Sequence, residues 1–230
     1  MRYHTGYLLL SFLLLFAHRG PVLSQPDDPP GNPYIKTIYT RPFGIENNNL
    51  SIAQDSLGLI YIGNSHGLLQ FDASHWQRIS RQSNPVLARG NDGTLYAGFY
   101  KDFGRLSSSR QGVTFQSLTD STSLPDKTDG IACGGNRIYF TSGHTLYQYN
   151  TPGIQRLHTF RDKPHLFVTR NHEVFVWQQS GDLYRIRDGV TDTLIGGRYI
   201  PAPVAAIFDG RPGHWLVVLK NGSALRVDTA

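Results

Sequence analysis

The chain has 230 residues, 39% of them hydrophobic and 17% charged, with 22 Lys and Arg against 17 Asp and Glu for a formal charge of +5. At that length a folded chain buries roughly 70% of its unfolded surface, which with the modest charge excludes an intrinsically disordered protein. The positive charge is dispersed, with no Lys or Arg run longer than two, so nucleic-acid contact by this chain is excluded as well.

Residues 1–24 have the form of a cleaved secretory signal. Arg2 and His4 precede an apolar run over residues 8–17 that is too short to span a bilayer comfortably, and Val22-Leu23-Ser24 fits a peptidase site before Gln25. An uncleaved N-terminal anchor is the alternative. Cleavage removes two cations, Arg2 and Arg19, and no acid, lowering the charge from +5 to +3, and predicts an exported chain in the periplasm or cell envelope. The single cysteine, Cys133, forbids an internal disulfide. With no Lys or His beside it in Ile131-Ala132-Cys133-Gly134, it is expected as a buried apolar thiol.

Residues 25–33, QPDDPPGNP, hold four prolines and predict an extended linker. Residues 34–40 have β composition without turn residues and predict one isolated strand, followed by a loop that includes Glu46-Asn47-Asn48-Asn49. Residues 52–80 then carry three short β-rich runs, Ile60-Tyr61-Ile62, Leu68-Leu69-Gln70-Phe71 and His75-Trp76-Gln77-Arg78-Ile79, each bounded by Gly, Asp, Asn or Ser. That is the pattern of a small antiparallel sheet.

The same theme returns four times. The aligned runs are Leu59-Ile60-Tyr61-Ile62-Gly63, Thr94-Leu95-Tyr96-Ala97-Gly98, Arg137-Ile138-Tyr139-Phe140-Thr141, Glu173-Val174-Phe175-Val176-Trp177 and His214-Trp215-Leu216-Val217-Val218. Taking Tyr61, Tyr96, Tyr139, Phe175 and Leu216 as equivalents, the intervals are 35, 43, 36 and 41 residues. Such intervals suit four short strands plus turns, so the fold class is all-β, a β-propeller of four-stranded antiparallel blades, rather than a β-sandwich, which would lack the internal echo. About five blades are expected, near residues 52–80, 86–118, 131–159, 166–195 and 207–230, the last without an outer strand. Either residues 34–40 close the ring by supplying that strand, or the natural chain continues.

Residues 52–68, IAQDSLGLIYIGNSHGL, followed by Phe71-Asp72, closely resemble the two-component-regulator propeller repeat of bacterial periplasmic sensors. Tyr96-Ala97-Gly98, Asp102-Phe103-Gly104-Arg105-Leu106 and Phe115-Gln116-Ser117-Leu118 look like the second blade of the subgroup whose propeller precedes a triple-tyrosine β-domain. The signature residues on which the resemblance rests are Asp55, Gly58, Tyr61, Gly63, Gly67, Leu68, Phe71, Asp72 and Trp76. The chain departs from the pattern at Ala73-Ser74, where a Gly-containing turn is common, and at Tyr61, where Trp is frequent. The resemblance implies an incomplete seven-bladed ring, truncated before a triple-tyrosine domain, a membrane helix and a histidine-kinase or helix-turn-helix output module.

Weighed as chemistry, the residues predict no catalytic group, no cofactor and no metal site. Gly63 and Gly67 are expected to supply positive φ at a hairpin, Asp72 to hold its turn through backbone N–H groups, and Trp76 to pack between neighbouring blades. The histidines are scattered without metal-ligand spacing, and Asp102-Phe103-Gly104 matches the kinase tripeptide without its companion motifs. Asp126 and Asp129 are expected in a solvated loop over residues 119–130. The expected function is ligand sensing, with a small-molecule or oligosaccharide ligand bound by loops, membrane attachment only through a C-terminal helix beyond this segment, and a homodimer of the full-length protein. A secreted carbohydrate-acting propeller enzyme and an extracellular protein-interaction scaffold are the alternatives.

Overall fold

The short apolar runs between Gly, Asp and Asn turns are strands in the computed structural model, which describes residue 37 and residues 45–109, 112–119, 126–150 and 153–228. The expected signal and linker lie outside the described residues, as does the strand expected over residues 34–40 apart from Thr37, which is in no strand. Blade 1 consists of β1 (Asn49–Gln54), β2 (Ile60–Asn64), β3 (Gly67–Phe71) and β4 (Trp76–Ser80). Blade 2 consists of β5 (Val86–Arg89), β6 (Leu95–Gly98), β7 (Phe103–Ser109) and β8 (Gly112–Ser117). β9 (Thr128–Gly134), β10 (Arg137–Ser142), β11 (Thr145–Asn150) and β12 (Gly153–Thr159) form blade 3. Blade 4 holds β13 (Pro164–Val168), β14 (Val174–Gln178), β15 (Leu183–Arg187) and β16 (Val190–Ile195), and blade 5 holds β17 (Val204–Asp209), β18 (His214–Leu219) and β19 (Ala224–Asp228).

Within every blade the strands pair antiparallel in sequence order, so each sheet is a meander closed by short hairpins. The first strands β1, β5, β9, β13 and β17 each touch the next, which sets the sheets side by side around an axis as a propeller. Both faces of an interior blade are therefore covered. That is why β14, Val-Phe-Val-Trp-Gln, is buried along its whole length instead of alternating apolar and polar residues.

Four buried clusters fill the four spaces between blades. Tyr61 and Leu68 of blade 1 meet Leu87, Leu95, Ala97 and Phe99 of blade 2. Tyr96 and Phe103 meet Cys133, Ile138 and Phe140 of blade 3. Tyr139 and Leu146 meet Val174, Val176 and Ile186 of blade 4, and Phe175, Trp177 and Leu183 meet Trp215, Val217 and Val227 of blade 5. The second strand of each blade thus points one residue parity forward, into the next blade, and the other parity back. Each fully buried aromatic or aliphatic side chain contributes roughly 1.5–3 kcal/mol, so these four interfaces are the main source of stability.

Two loop expectations are corrected. Asn49 lies in β1, not in a loop, because its Oδ1 accepts a hydrogen bond from Nδ2 of the fully buried Asn64 at 2.8 Å. Asp129 lies in β9, where its carboxylate accepts from Gly143 N at 3.1 Å and pairs with Lys163 Nζ at 2.7 Å. These tertiary partners override the turn-forming composition of Thr128-Asp129-Gly130.

Candidate functional site

Antiparallel meanders put the turn between first and second strands and the turn between third and fourth strands at the same end of each four-stranded blade. At that end crevices open between the first four blades. Between blades 1 and 2 it measures about 250 Å³ and is lined by Asp55, Tyr61, Asp92 and Thr94, among others. Between blades 2 and 3 it is about 230 Å³, with Asn91, Asp92, Tyr96 and Asn136 in its wall. Between blades 3 and 4 it widens to about 570 Å³, and the walls include Arg137, Tyr139, His172, Arg187 and Asp188. That last volume falls within the range of small-molecule sites.

The large crevice is built around two side chains at equivalent places, Arg137 at the head of β10 and Glu173 just before β14. Arg137 donates from Nη1 to Oε1 of the buried Gln148 at 3.2 Å, and its Nη2 lies 4.0 Å from the carboxylate of the exposed Asp188. A Cβ on Gly189 would stand 2.9 Å from Arg137 Nη1, so this glycine, at φ +81°, makes room for the guanidinium. Burial raises the Tyr139 phenol above its usual pKa, and the adjacent Arg137 charge partly counters the rise. Gly134 forms part of the wall because a Cβ there would come within 2.5 Å of Val174 Cγ2.

Glu173 is committed elsewhere. Its Oε1 pairs with the Arg185 guanidinium and its Oε2 accepts from the Trp215 indole N–H at 2.6 Å, while Arg185 lies over the Trp215 ring at 4.6 Å. An ion pair capped by an indole from the next blade is thus part of the blade 4–blade 5 contact.

The signature residues take structural places. Asp55 Oδ1 accepts from the backbone N–H of Leu57 and Leu59, both at 2.9 Å, and its Oδ2 accepts from Tyr61 Oη at 3.2 Å. Burial first, and then Asp55, push Tyr61 up to about 12. Gly58 sits at φ +86° in that turn. Gly67, at φ +131°, also has Ser80 O only 2.0 Å from where a Cβ would be. Gly63 is corrected: it has no positive φ, and its missing side chain admits Pro85 O and Ser51 Oγ, each 2.2 Å from a Cβ position. Both glycines admit the chain's own atoms.

Leu68 is fully buried, and Asp72 Oδ1 accepts from Ser74 N at 2.9 Å and His75 N at 2.6 Å, bonds that lower its pKa to about 2. Trp76 packs on Phe71 of its own sheet, ring centroids 4.6 Å apart. Cys133 is buried, and desolvation pushes its thiol up to about 12. No group of three or more His, Cys, Asp or Glu among the described residues could hold a metal ion.

Sequence reasoning did not single out Arg137, Glu173, Arg185 or Trp215. One signal was present: the first residues of the aligned runs are Leu59, Thr94, Arg137, Glu173 and His214, so charge enters only in the later repeats.

No protein-family model matches the chain, and no curated protein matches it either. Solved structures do resemble it. The extracellular domain of a one-component system from B. thetaiotaomicron is 15% identical over 77% of this chain and 27% of its own, with a TM-score of 0.57. Virginiamycin B lyase from Staphylococcus aureus is 15% identical over 79% of this chain and 70% of its own, with a TM-score of 0.55. A gluconolactonase from Xanthomonas campestris is 13% identical over 79% and 76%, with a TM-score of 0.51. At these identities the likeness is one of fold, and this chain spans about a quarter of the one-component extracellular domain. No helix among the described residues is long and apolar enough to cross a membrane.

Proposed function

We propose that this chain is the ligand-sensing propeller of an exported bacterial signalling protein, and that its five blades belong to a larger ring preceding a membrane helix and an output module. The observation that carries this reading is the incomplete burial of blade 5. Leu216 takes the position that Tyr61, Tyr96, Tyr139 and Phe175 occupy in the other blades, yet it is 44% exposed and its neighbour Phe208 is 54% exposed. At the other end of the arc Ile52 is 70% exposed, while Ile207, which takes its place in blade 5, is buried. Apolar faces of this kind await partners. The fold likeness to the extracellular domain of a one-component system, of which this chain matches only 27%, supports the same reading. In such a protein the ligand's differential affinity for two arrangements of the sensor would bias the output across the membrane.

Sequencing the gene past codon 230 tests the proposal. Further β-blades, an apolar helix and a kinase or DNA-binding domain are expected. A stop codon directly after Ala230 overturns it. Turnover of a sugar lactone or glycan by the purified chain would instead favour the secreted-enzyme alternative, to which the lactonase and lyase folds lend weight.

A further inference from the structure

Blade architecture does not ask for positive charge at the crevices. At the place of Arg137, blades 1 and 2 carry Leu59 and Thr94, and the two smaller crevices have Asp55 and Asp92 in their walls with no Lys or Arg at all. The blade 3–blade 4 crevice reverses this. Arg137 and Arg187 line it, with the His172 ring beside them, against Asp188 alone, since Glu173 is neutralised by Arg185 and occupied by the Trp215 indole. Asp188 offers weak opposition, because its side chain is 93% exposed and stands 4.0 Å from Arg137.

Arg137 is also held in place before any ligand arrives. Gln148, a neutral acceptor, fixes one of its nitrogens, and Gly189 clears the space beside it. A fixed guanidinium with its charge largely uncompensated grips a carboxylate through two parallel N–H bonds. The cavity, about 570 Å³, is far larger than one inorganic ion needs, and Asn136 and Tyr139 add neutral polar groups to its wall.

We infer that the crevice between blades 3 and 4 binds a small organic acid, its carboxylate held by Arg137 with Arg187 supplying the surrounding positive charge and His172 a polar ring beside it. This deepens the sensor reading and rests on it for its biological meaning. The site itself is tested by binding alone, so the two fail separately.

The test is calorimetric titration of the chain with citrate at low ionic strength, with inorganic sulfate as the second probe. Saturable citrate binding is expected. Arg137→Met should weaken it about tenfold, the effect of losing one charge-assisted contact, and Arg137→Met with Arg187→Met should weaken it further. Asp55→Asn, in the crevice between blades 1 and 2, should leave it unchanged. Asp188→Asn should tighten it, a gain that a merely unfolded variant could not give. Absence of saturable citrate binding, or equal affinity in wild type and the double variant, overturns the site. Sulfate binding as tight as citrate overturns the organic-acid assignment. If citrate binds as expected and the gene stops directly after codon 230, the sensor reading falls and the site stands.

Discussion

The forward faces of blade 4 and blade 5 use the same positions and meet opposite fates. Phe175 is fully buried, its ring 5.5 Å from Trp215 in an edge-on contact, whereas Leu216 at the equivalent place is 44% exposed. Beside Phe175, Arg185 pairs with Glu173 under the Trp215 indole. Beside Leu216, Arg226 and His214 converge on Asp228, at 3.2 and 2.5 Å, and Arg226 keeps 75% of its side chain in solvent. A blade therefore does not bury its own forward face. The next blade does, and the apolar and charged groups at these positions gain stability only when it is present.

The largest effect that would sharpen this contrast is Phe175→Ala. Truncating a fully buried phenylalanine costs about 3–5 kcal/mol, transfer and cavity together. Because the contact joins two blades, urea unfolding should show the loss together with earlier proteolysis in blade 5. A loss below about 1 kcal/mol would break the comparison, since blade 5 would then hold without its neighbour's forward face.

Glu173→Ala comes next. It leaves the Arg185 guanidinium without its carboxylate and the Trp215 indole without its acceptor, inside an interface where both side chains of the pair are mostly covered. Breaking a fully buried pair costs roughly 3–5 kcal/mol, and partial solvent screening brings the expectation to about 2 kcal/mol. A double-mutant cycle with Trp215→Phe should give a coupling energy above about 0.5 kcal/mol. Additive effects would show that the indole caps nothing.

How much of this was legible beforehand depended on where the determinant sits. The propeller was readable because covering both faces of a blade forces its second strand to be apolar, and Tyr61, Tyr96, Tyr139 and Phe175 mark those strands at blade-sized intervals. The expectation at Gly63 fails because a sequence does not distinguish a glycine needed for positive φ from one needed to admit Pro85 O, an atom at the entry to the next blade. Asp129 reads as a loop residue in sequence because its partners, Gly143 and Lys163, are distant in the chain. The large crevice was invisible for the same reason: Arg137 and Glu173 stood in register in the repeats, but their different fates are decided by Gln148, Gly189 and Trp215, on other strands and another blade.

Tyr61 offers a smaller and pH-dependent probe of a covered forward face. Burial, and then Asp55, raise its pKa from the ordinary 10.0 to about 12. The folded state therefore holds the phenolic proton more tightly than the unfolded chain does. The stability this confers is fully present below pH 10 and is lost as pH rises through about 12. Tyr61→Phe should remove that alkaline component from the stability profile while sparing the neutral range apart from one hydrogen bond. An unchanged alkaline limb would mean that Tyr61 is less enclosed than blade 2 makes it.

Leu216→Ser should have the smallest effect of all. A half-exposed leucine with no blade in front of it has little apolar area to lose, and surface substitutions of this kind change stability by about 0.5 kcal/mol or less. Self-association of the chain should fall instead, because the exposed pair Phe208 and Leu216 is the kind of patch that drives it. Only one of the two readouts moves, for a reason: the same side chain is idle in folding and active in association. If the substitution costs as much as 2 kcal/mol in the 230-residue chain, something within that chain already covers blade 5, and the proposal of a larger ring loses its main support.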